Sequence, residues 1–382
     1  MIKRTALLGV VLASAIGLNL YAEVVRARTP IQIPDIPGYV TLRCDFHVHT
    51  VFSDGGVWPS VRSEEAWREG LDAIAITDHI EYQPHKEDLP TNPGRSFEIA
   101  KLQGDALGLI VIRGSEVTRK MPPGHINAIF LQSNPPLDTP EWRDALKIAA
   151  DQGAFIFWNH PGWTGQQPDG LARWYPEHTE LFDQHLIHGI EVVNDENYYP
   201  EVHRWALEKN LTMIGNSDVH DPIGMVFDTD HQERRALTLV FATEKTPEAI
   251  KEALAAHRTA VLFQDMLIGR REYLEPVFKA SVKVINPSVT VKGKGSAYVQ
   301  VENTSDIDYQ LIGNNTFDEV SAPSRLILYA GKTVLLSFRG NLETTTGKKS
   351  FELKYTVKNL KLTPEDGLPV VFPVEVNFVP TK

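Results

Sequence analysis

The chain has 382 residues, of which 42% are hydrophobic and 23% charged, an ordinary globular composition that suits one or two domains. Acidic residues outnumber basic ones by 49 to 38, which gives a formal charge of -11, and the basic residues form no stripe; a nucleic-acid partner is therefore not expected. The single cysteine, Cys44, excludes an intramolecular disulfide scaffold.

Residues 1–27 have the pattern of a secretory signal peptide. Two basic residues precede an uncharged, mostly apolar run at 5–22, and small residues offer cleavage after Ala22 or after Ala27. The alternative is an uncleaved membrane anchor, but two polar residues interrupt a run that is already short for a membrane span. No other segment is apolar enough to cross a bilayer. We therefore expect a periplasmic or secreted mature protein without a membrane span.

Residues 28–276 are predicted to form one α/β domain of repeated βα units, because short β-branched runs alternate with helix-period segments. The predicted strands are 42–49, 72–77, 109–116, 126–131, 154–159, 189–194, 212–216 and 236–242. The predicted helices include 60–69, 140–152, 200–209 and 246–257. Seven or eight strands over about 240 residues favour a parallel barrel over an open sheet.

Residues 277–382 are predicted to form a small C-terminal all-β domain. Alternating strands are predicted at 297–303, 333–338 and 351–357, and this pattern over about 100 residues is typical of a β-sandwich. All 13 histidines lie at or before His257. Any histidine chemistry is therefore expected in the first domain.

The first predicted strand carries a row of ionisable side chains, since Arg43, Asp45, His47 and His49 share one face. A barrel strand packs its apolar outer face on helices, so we expect the polar face to point inward, where it needs a partner such as a metal ion. The spacing of His47 and His49 places both imidazoles within reach of one ion or of two adjacent ions. Cys44, on the other face, is expected to serve packing.

Further residues of ligand type lie at the ends of successive strands or beside them. They are Asp54, His79, Glu116, His125, His160, Asp218 and His220. Each alone is more often a hydrogen-bonded structural residue than a ligand. Because strand ends converge at one mouth of a barrel, we interpret the set as a multinuclear site in which a carboxylate bridges two ions. The other histidines are interpreted as structural.

The order of these motifs along residues 42–257 is specific. The motifs are Asp45-Phe46-His47-Val48-His49-Thr50 with Ser53-Asp54-Gly55, Thr77-Asp78-His79, Glu116, Gly124-His125, Asn159-His160-Pro161 and Ser217-Asp218-Val219-His220. Together they resemble the PHP (polymerase and histidinol phosphatase) superfamily. The resemblance implies a distorted seven-stranded βα barrel that binds up to three metal ions. Segments 58–62 and 79–86 are similar to secreted bacterial PHP phosphodiesterases that hydrolyse organophosphate diesters.

The resemblance also implies a ligand set for each ion. The first set is His47, His49, Glu116 and Asp218; the second is the bridging Glu116 with His125 and His160; the third is Asp54, His79 and His220. Asp54 matches a position where some relatives carry histidine. Because the ligands are nitrogen and oxygen atoms without a thiolate, we expect two or three ions of zinc, manganese or iron.

The chemistry that follows is hydrolysis of a small-molecule phosphate ester. A water between two divalent cations loses its proton near neutral pH, and this metal-bound hydroxide is the expected nucleophile at phosphorus. The sequence contains neither a GxSxG nucleophile elbow nor a Walker-type phosphate loop.

The loops after the ligand-bearing strands carry candidate substrate-binding residues. The cations are Lys86, Arg119 and Lys120, whose alternative role is that of solvated loop charges. The aromatic residues are Trp58, Tyr82 and Trp163, whose alternative role is packing at the rim. Asp45, Asp78 and Glu191 are candidates for orienting the ligand imidazoles, with ordinary buried hydrogen bonding as the alternative.

Three functions compete for this sequence. The first is a secreted metal-dependent phosphoesterase that favours diesters, because the mouth has few cations and several aromatic residues; a monoesterase of histidinol-phosphatase type is the alternative. The second is a catalytically silent PHP fold that binds a partner through its C-terminal domain, against which the full ligand set argues. The third is an amide or lactone hydrolase that uses the same ions. No particular protein partner is predicted.

Overall fold

The computed structural model describes residues 26–89, 92–228 and 233–381. The predicted signal peptide lies outside these residues except for its last two. Within the described ranges, no helix has the length and apolar character that a membrane crossing needs.

The first domain alternates strands with helices, as predicted. Its strands are β1 Val40–Val48, β2 Ala73–Ile76, β3 Ile110–Val117, β4 Ile126–Ile129, β5 Phe155–Trp158, β6 Gly189–Asn194, β7 Asn197–Tyr198, β8 Thr212–Asn216, β9 Leu237–Ala242, β10 Thr259–Phe263 and β11 Met266–Gly269. Its helices are α1 Pro59–Arg68, α2 Arg95–Leu107, α3 Trp142–Asp151, α4 Pro176–Asp183, α5 Pro200–Glu208, α6 Ile223–Val226, α7 Pro247–Ala255 and α8 Arg271–Ser281. The eight predicted strands are all present, with ends that differ by two residues or fewer.

Strands β1 to β6 and β8 form the ring of a distorted βα barrel. Strands β1, β2 and β3 pair in parallel, and so do β5, β6 and β8. The ring closes where the segment after β8 meets the end of β1: Asp218 N donates to His47 O at 2.9 Å, and His49 N donates to Val219 O at 3.1 Å. The predicted (β/α)7 barrel is thereby confirmed, and its seam runs between two ligand-bearing segments.

One strand departs from the predicted parallel arrangement. β4 is antiparallel to both β3 and β5, because the connection at 118–125 is too short for the crossover that a parallel neighbour needs. Outside the ring, β9 is antiparallel to β1. The expectation of an all-parallel barrel is therefore wrong for β4.

The predicted direction of the side chains on β1 is also wrong for the first half of this strand. Leu42, Cys44 and Phe46 belong to a buried cluster with residues from strands all around the ring and from α7, so this apolar face points into the barrel. Arg43 and Asp45 point outward instead. The Arg43 guanidinium donates to backbone carbonyls of the proline-rich segment before β1. We expected the apolar face of β1 to pack outward on the helices, but the barrel interior is itself an apolar core and takes this face.

A β-bulge in β1 restores the predicted facing of the histidines. Asp45 lies opposite Ile74, while Val48 lies opposite Ile76, so β1 has one residue more than β2 over this interval. An extra residue reverses the alternation of side chains beyond it. As a result His47 and His49 face the interior, directly after the inward-facing Phe46.

The C-terminal region is a β-sandwich. Its strands are β12 Val282–Val284, β13 Ser288–Lys292, β14 Ser296–Asn303, β15 Tyr309–Ile312, β16 Val320–Ser321, β17 Arg325–Leu328, β18 Thr333–Gly340, β19 Gly347–Lys361 and β20 Gly367–Val379. One sheet has the order β12-β14-β18-β16, and the other is built on β13-β20-β19 with β15 and β17. Helix α8 includes the expected domain boundary after residue 276. The parallel pairing of β11 with β19 connects the barrel to the sandwich.

Candidate metal centre

The nine predicted ligands gather at one mouth of the barrel. Most of them lie at the carboxyl ends of parallel strands, which meet at one rim. His125 comes before β4, but the antiparallel direction of β4 places its start at the same rim. Asp54 comes from the turn after β1, where Gly55 is required because a Cβ there would lie 2.8 Å from the carbonyl carbon of His49.

Glu116, on β3, is the centre of the cluster. Its Oε1 lies 2.7 Å from His125 Nδ1. Its Oε2 lies 3.1 Å from His79 Nδ1, 3.2 Å from His47 Nε2 and 3.3 Å from His49 Nε2. The two oxygens thus face different imidazoles, which is the arrangement expected of a bridging carboxylate.

Asp218 lies on the other side of the two β1 histidines. Its Oδ1 is 3.0 Å from both His47 Nε2 and His49 Nε2, and its Oδ2 is 3.9 Å from His160 Nε2. Asp218 and His160 both have positive φ, at 53° and 27°. Such backbone conformations are uncommon for residues other than glycine and occur often at functional sites.

Asp54 collects a separate set of imidazoles. Its Oδ1 lies 3.2 Å from His220 Nε2, 3.4 Å from His79 Nε2 and 3.8 Å from His49 Nδ1. The rings of His49 and His220 stack with centroids 4.1 Å apart.

The geometry defines three groups whose ligand atoms lie within 4.8 Å of one another. They are His47, His49 and Glu116; His79, Glu116 and His125; and His49, Asp54, His79 and His220. The groups follow the ligand sets that the resemblance implies, with three differences. His49 and His79 are each shared between two groups. Asp218 is in none of the groups, although its Oδ1 lies 3.0 Å from His49 Nε2. His160 is also in none of them and lies 3.6 Å from Glu116 Oε1.

Several of these atoms lie close to opposite charges but make no hydrogen bond of proper geometry. The buried atoms that make no hydrogen bond of proper geometry to another described residue include His49 Nε2, Asp54 Oδ1, Glu116 Oε1, His125 Nδ1 and Asp218 Oδ1. Unpaired buried polar atoms are costly, whereas converging imidazole nitrogens and carboxylate oxygens are the donors that first-row divalent ions prefer. The residues therefore fit a centre of two or three such ions.

Burial and mutual attraction shift the pKa values in this cluster in opposite directions. Burial would lower the pKa of His47, but carboxylates, Asp218 first, raise it well above its usual value. Burial would likewise lower the pKa of His79, but the carboxylates of Glu116, Asp54 and Asp218 together outweigh it and raise this pKa to about 9. Burial would raise the pKa of Glu116, but the surrounding histidines hold it well below its usual range. Binding of a cation to these residues would therefore release protons.

Glu191, on β6, orients two of the predicted ligands, His47 and His160. This fully buried carboxylate contacts His47 Nδ1 at 2.9 Å and accepts a hydrogen bond from the backbone N–H of His160 at 2.7 Å. Asn216 Nδ2 donates to it at 2.9 Å. With Nδ1 held by Glu191, His47 turns its Nε2 toward the centre. Asn216 was missed by the sequence reading, although its place at the end of the predicted strand 212–216 was the available signal.

The other two acidic candidates contact no ligand imidazole among the described residues. Asp78 accepts hydrogen bonds from Thr50 and Ser53 and so holds the turn after His49. Asp45 accepts from Ser217 and pairs with the buried Arg235, because it lies on the outer side of β1 before the bulge. Both residues therefore make ordinary buried hydrogen bonds and do not orient ligand imidazoles.

Aromatic side chains surround the mouth. Trp163 is 45% exposed, and its ring centroid lies 5.3 Å from that of His160 and 5.6 Å from that of His125. Tyr82 is 53% exposed and lies 6.0 Å from the ring of His79. Trp58 packs against Phe52, with ring centroids 5.6 Å apart.

The three candidate cations differ in their surroundings. The guanidinium of Arg119 is ion-paired with Glu81 and donates to the backbone carbonyls of Thr118 and Thr139. Lys86 and Lys120 are exposed, in the segments that follow His79 and Glu116 along the chain. Two of the three cations are thus open to a bound anion, while Arg119 is held by its neighbours.

Fold and site together define a metal-dependent hydrolase of barrel type, and comparison with known proteins gives the family. A two-domain protein from Bacteroides vulgatus, described as containing a predicted PHP-like metal-dependent phosphoesterase, is 42% identical in a match that covers 92% of this chain and 100% of that one, with a TM-score of 0.86. This chain belongs to the PHP superfamily of metal-dependent phosphoesterases.

Other comparisons cover less of the chain. A family model described as an Ig-like domain matches residues 282–373, in the sandwich. An uncharacterized protein of Methanocaldococcus jannaschii is 40% identical over 85 residues, which are 22% of this chain and only 37% of that relative's length. An amidohydrolase from Chromobacterium violaceum is 16% identical with a TM-score of 0.36, over 48% of this chain and 89% of that one.

Proposed function

We propose that this protein hydrolyses small-molecule phosphate esters with two or three divalent ions, and that it prefers diesters to monoesters. The observation that carries the proposal is the gathering of imidazole and carboxylate side chains at one mouth of the barrel, where seven residues, Glu116 among them, form three groups whose ligand atoms lie within 4.8 Å of one another. Several of these side chains have buried ligand atoms that make no hydrogen bond of proper geometry. Membership of the PHP superfamily supports the same reaction class.

The residues of the centre have distinct tasks in this reaction. Bound divalent ions would lower the pKa of a coordinated water and neutralise charge on the phosphoryl oxygens. Glu116 directs its two oxygens to different imidazoles and so holds two binding positions side by side. Glu191 fixes the ring of His47 and the backbone of His160, which keeps these ligands oriented before substrate arrives.

The preference for diesters rests on charge and on the aromatic rim. A monoester is a dianion and favours several cations around its terminal oxygens, whereas a diester has one negative charge and two substituents that need apolar contact. Pairing with Glu81 occupies the guanidinium of Arg119, so the mouth offers few open cations. Tyr82 and Trp163 stand beside different ligands and offer apolar surface to the ester groups.

A panel of matched aryl phosphate mono-, di- and triesters tests this proposal. We expect the metal-loaded protein to hydrolyse the diester with higher kcat/KM than the monoester, and we expect chelation to abolish both reactions. A preference for the monoester would favour the histidinol-phosphatase type of activity. If the loaded protein hydrolyses no phosphate ester, the proposal is wrong, and amides, lactones or a binding role take its place.

Trp163→Ala is expected to lower kcat/KM for the aryl diester about fivefold to tenfold, with a smaller loss for the monoester. An aromatic contact is worth about 0.5–1.5 kcal/mol beyond its buried area, and only the diester has a second substituent to make it. Steady-state kinetics with both esters measure the difference. Tyr298→Ala, at an exposed aromatic residue of the sandwich, is the matched control and should leave both values unchanged. Equal losses on both esters in Trp163→Ala would assign this residue to packing alone.

We also propose that this protein is exported. The basic residues and apolar run before residue 28 support a cleaved signal peptide and a periplasmic or secreted protein.

A further inference from the structure

Arg62, on α1, is a buried arginine whose five N–H donors all have acceptors. Only 1% of this residue is exposed. Its Nε donates to His49 O at 2.8 Å. Its Nη1 donates to Asp221 O at 2.8 Å and to Glu65 Oε2 at 2.9 Å. Its Nη2 donates to Val219 O at 3.2 Å and to His220 O. Since a guanidinium has five N–H donors in all, Arg62 has none left for substrate.

Four of these acceptors are backbone carbonyls of the two segments that close the barrel. One segment follows β1 and carries His49, and the other follows β8 and carries His220. At this seam the backbone N–H of His49 also donates to Val219 O, at 3.1 Å. The guanidinium plane of Arg62 therefore joins the two segments from the side of α1.

Glu65, one turn further along α1, strengthens this junction. One of its carboxylate oxygens accepts from Arg62, and the other accepts from the backbone N–H of Ile223 at 3.0 Å. The pair therefore fixes the chain from residue 219 to residue 223. Helix α1 is well suited to hold both side chains, because Pro59 at its first turn presets the helical φ.

The side chains of the joined segments meet at the metal centre. His49 and His220 stack with ring centroids 4.1 Å apart and an interplanar angle of 15°. Both face Asp54 Oδ1, and together with His79 they form one of the three ligand groups. The separation of these imidazoles follows from the separation of their backbones, which Arg62 holds.

We propose that Arg62 is a positioning residue of the metal centre. It sets the distance between the imidazoles of His49 and His220, and thereby the affinity of the ion that these residues bind with Asp54 and His79. A lysine cannot replace it, because an ammonium has three donors and lacks the planar fork that reaches five acceptors. This inference rests on the proposed function only in that the centre binds ions.

Metal affinity, measured by competition with a chelator and by ions per chain, tests the proposal without any substrate. We expect Arg62→Lys to weaken the binding of the ion held with Asp54 and His79 about 10- to 100-fold, the usual effect of losing a residue that orients ligands. The effect on the ion that shares His49 should be smaller. Arg68→Lys is the control on the same helix, since Arg68 is a half-exposed partner of Glu64 and its replacement should leave all affinities unchanged.

Two further measurements separate positioning from a general effect on the fold. In Arg62→Ala, guanidinium at low, non-denaturing concentration should restore binding of the lost ion. Restored thermal stability without the ion would overturn the proposal.

In Glu65→Gln, which retains Arg62 and its carbonyl contacts, the same ion should bind more weakly by a smaller factor. Unchanged metal affinity in folded Arg62→Lys, or in Glu65→Gln if the Arg62 variants do not fold, would also overturn it. Failure of the proposed function would show differently, as metal-loaded wild type without ester turnover.

Discussion

Glu116→Ala is expected to lower kcat on phosphate esters by about a thousandfold or more. The two oxygens of this buried carboxylate face different imidazoles, with His125 on one side and His79, His47 and His49 on the other. Loss of a carboxylate that serves two ions should cost several kcal/mol of transition-state stabilisation. His160→Ala is expected to act in the same direction. Initial rates on the preferred ester, with metal content determined in parallel, measure both effects.

The sandwich and the barrel core do not depend on Glu116, so the variant should retain its circular dichroism spectrum. Glu98→Ala, at an exposed glutamate on α2 that pairs with Arg95, is the matched control and should retain the wild-type rate. Retention of more than about a tenth of the wild-type rate by Glu116→Ala with its ions still bound would contradict the assigned role, since a bridging ligand is worth far more than tenfold.

Asp45→Ala is expected to have the largest effect on stability, lowering the free energy of unfolding by about 3 kcal/mol. Asp45 is fully buried and lies 3.0 Å from Nη1 of Arg235, whose side chain is 2% exposed. Removing one partner of a buried ion pair leaves the other charge without compensation, which costs about 3–5 kcal/mol. The lower end applies because Glu69 still accepts two hydrogen bonds from Arg235. Urea denaturation of the chelated protein measures this effect apart from metal binding.

The matched control for Asp45→Ala is Glu180→Ala. Glu180 pairs with Arg143 at 2.6 Å, but both side chains are partly exposed, at 31% and 49%, so water compensates the charge that remains. The change in stability should be much smaller than that of Asp45→Ala. Equal effects of the two variants would show that the buried pair makes no special contribution.

The ligand set was predictable because it depends on where strands end. Any barrel brings the carboxyl ends of its parallel strands to one rim, so Glu116, His160 and Asp218 meet whatever the details of packing. His125 could not be placed by strand ends, because it precedes its strand; it reaches the same rim since β4 is antiparallel, which the sequence did not predict. Motif order then gave the family, and the family gave the distorted barrel.

Facing and side-chain contacts were less predictable. A bulge interrupts the alternation of side chains along β1, and a single sequence does not mark it. The sequence therefore predicted correctly that His47 points into the barrel, but predicted wrongly that Asp45 does so too. Arg62 lies in one of the segments that carry the resemblance, yet four of its acceptors are backbone carbonyls, and three of these belong to the segment after β8. Backbone acceptors leave no signature in residue type, so only the folded arrangement reveals them.

We infer that Glu116 and the eight other predicted ligands at the barrel mouth hold divalent ions. The most direct test is elemental analysis by mass spectrometry of the purified mature protein after expression in metal-supplemented medium. We expect two or three zinc, manganese or iron ions per chain, because the ligand atoms are nitrogen and oxygen without thiolate. Fewer than one ion per chain, with no gain of esterase activity on addition of any of these metals, would contradict the claim.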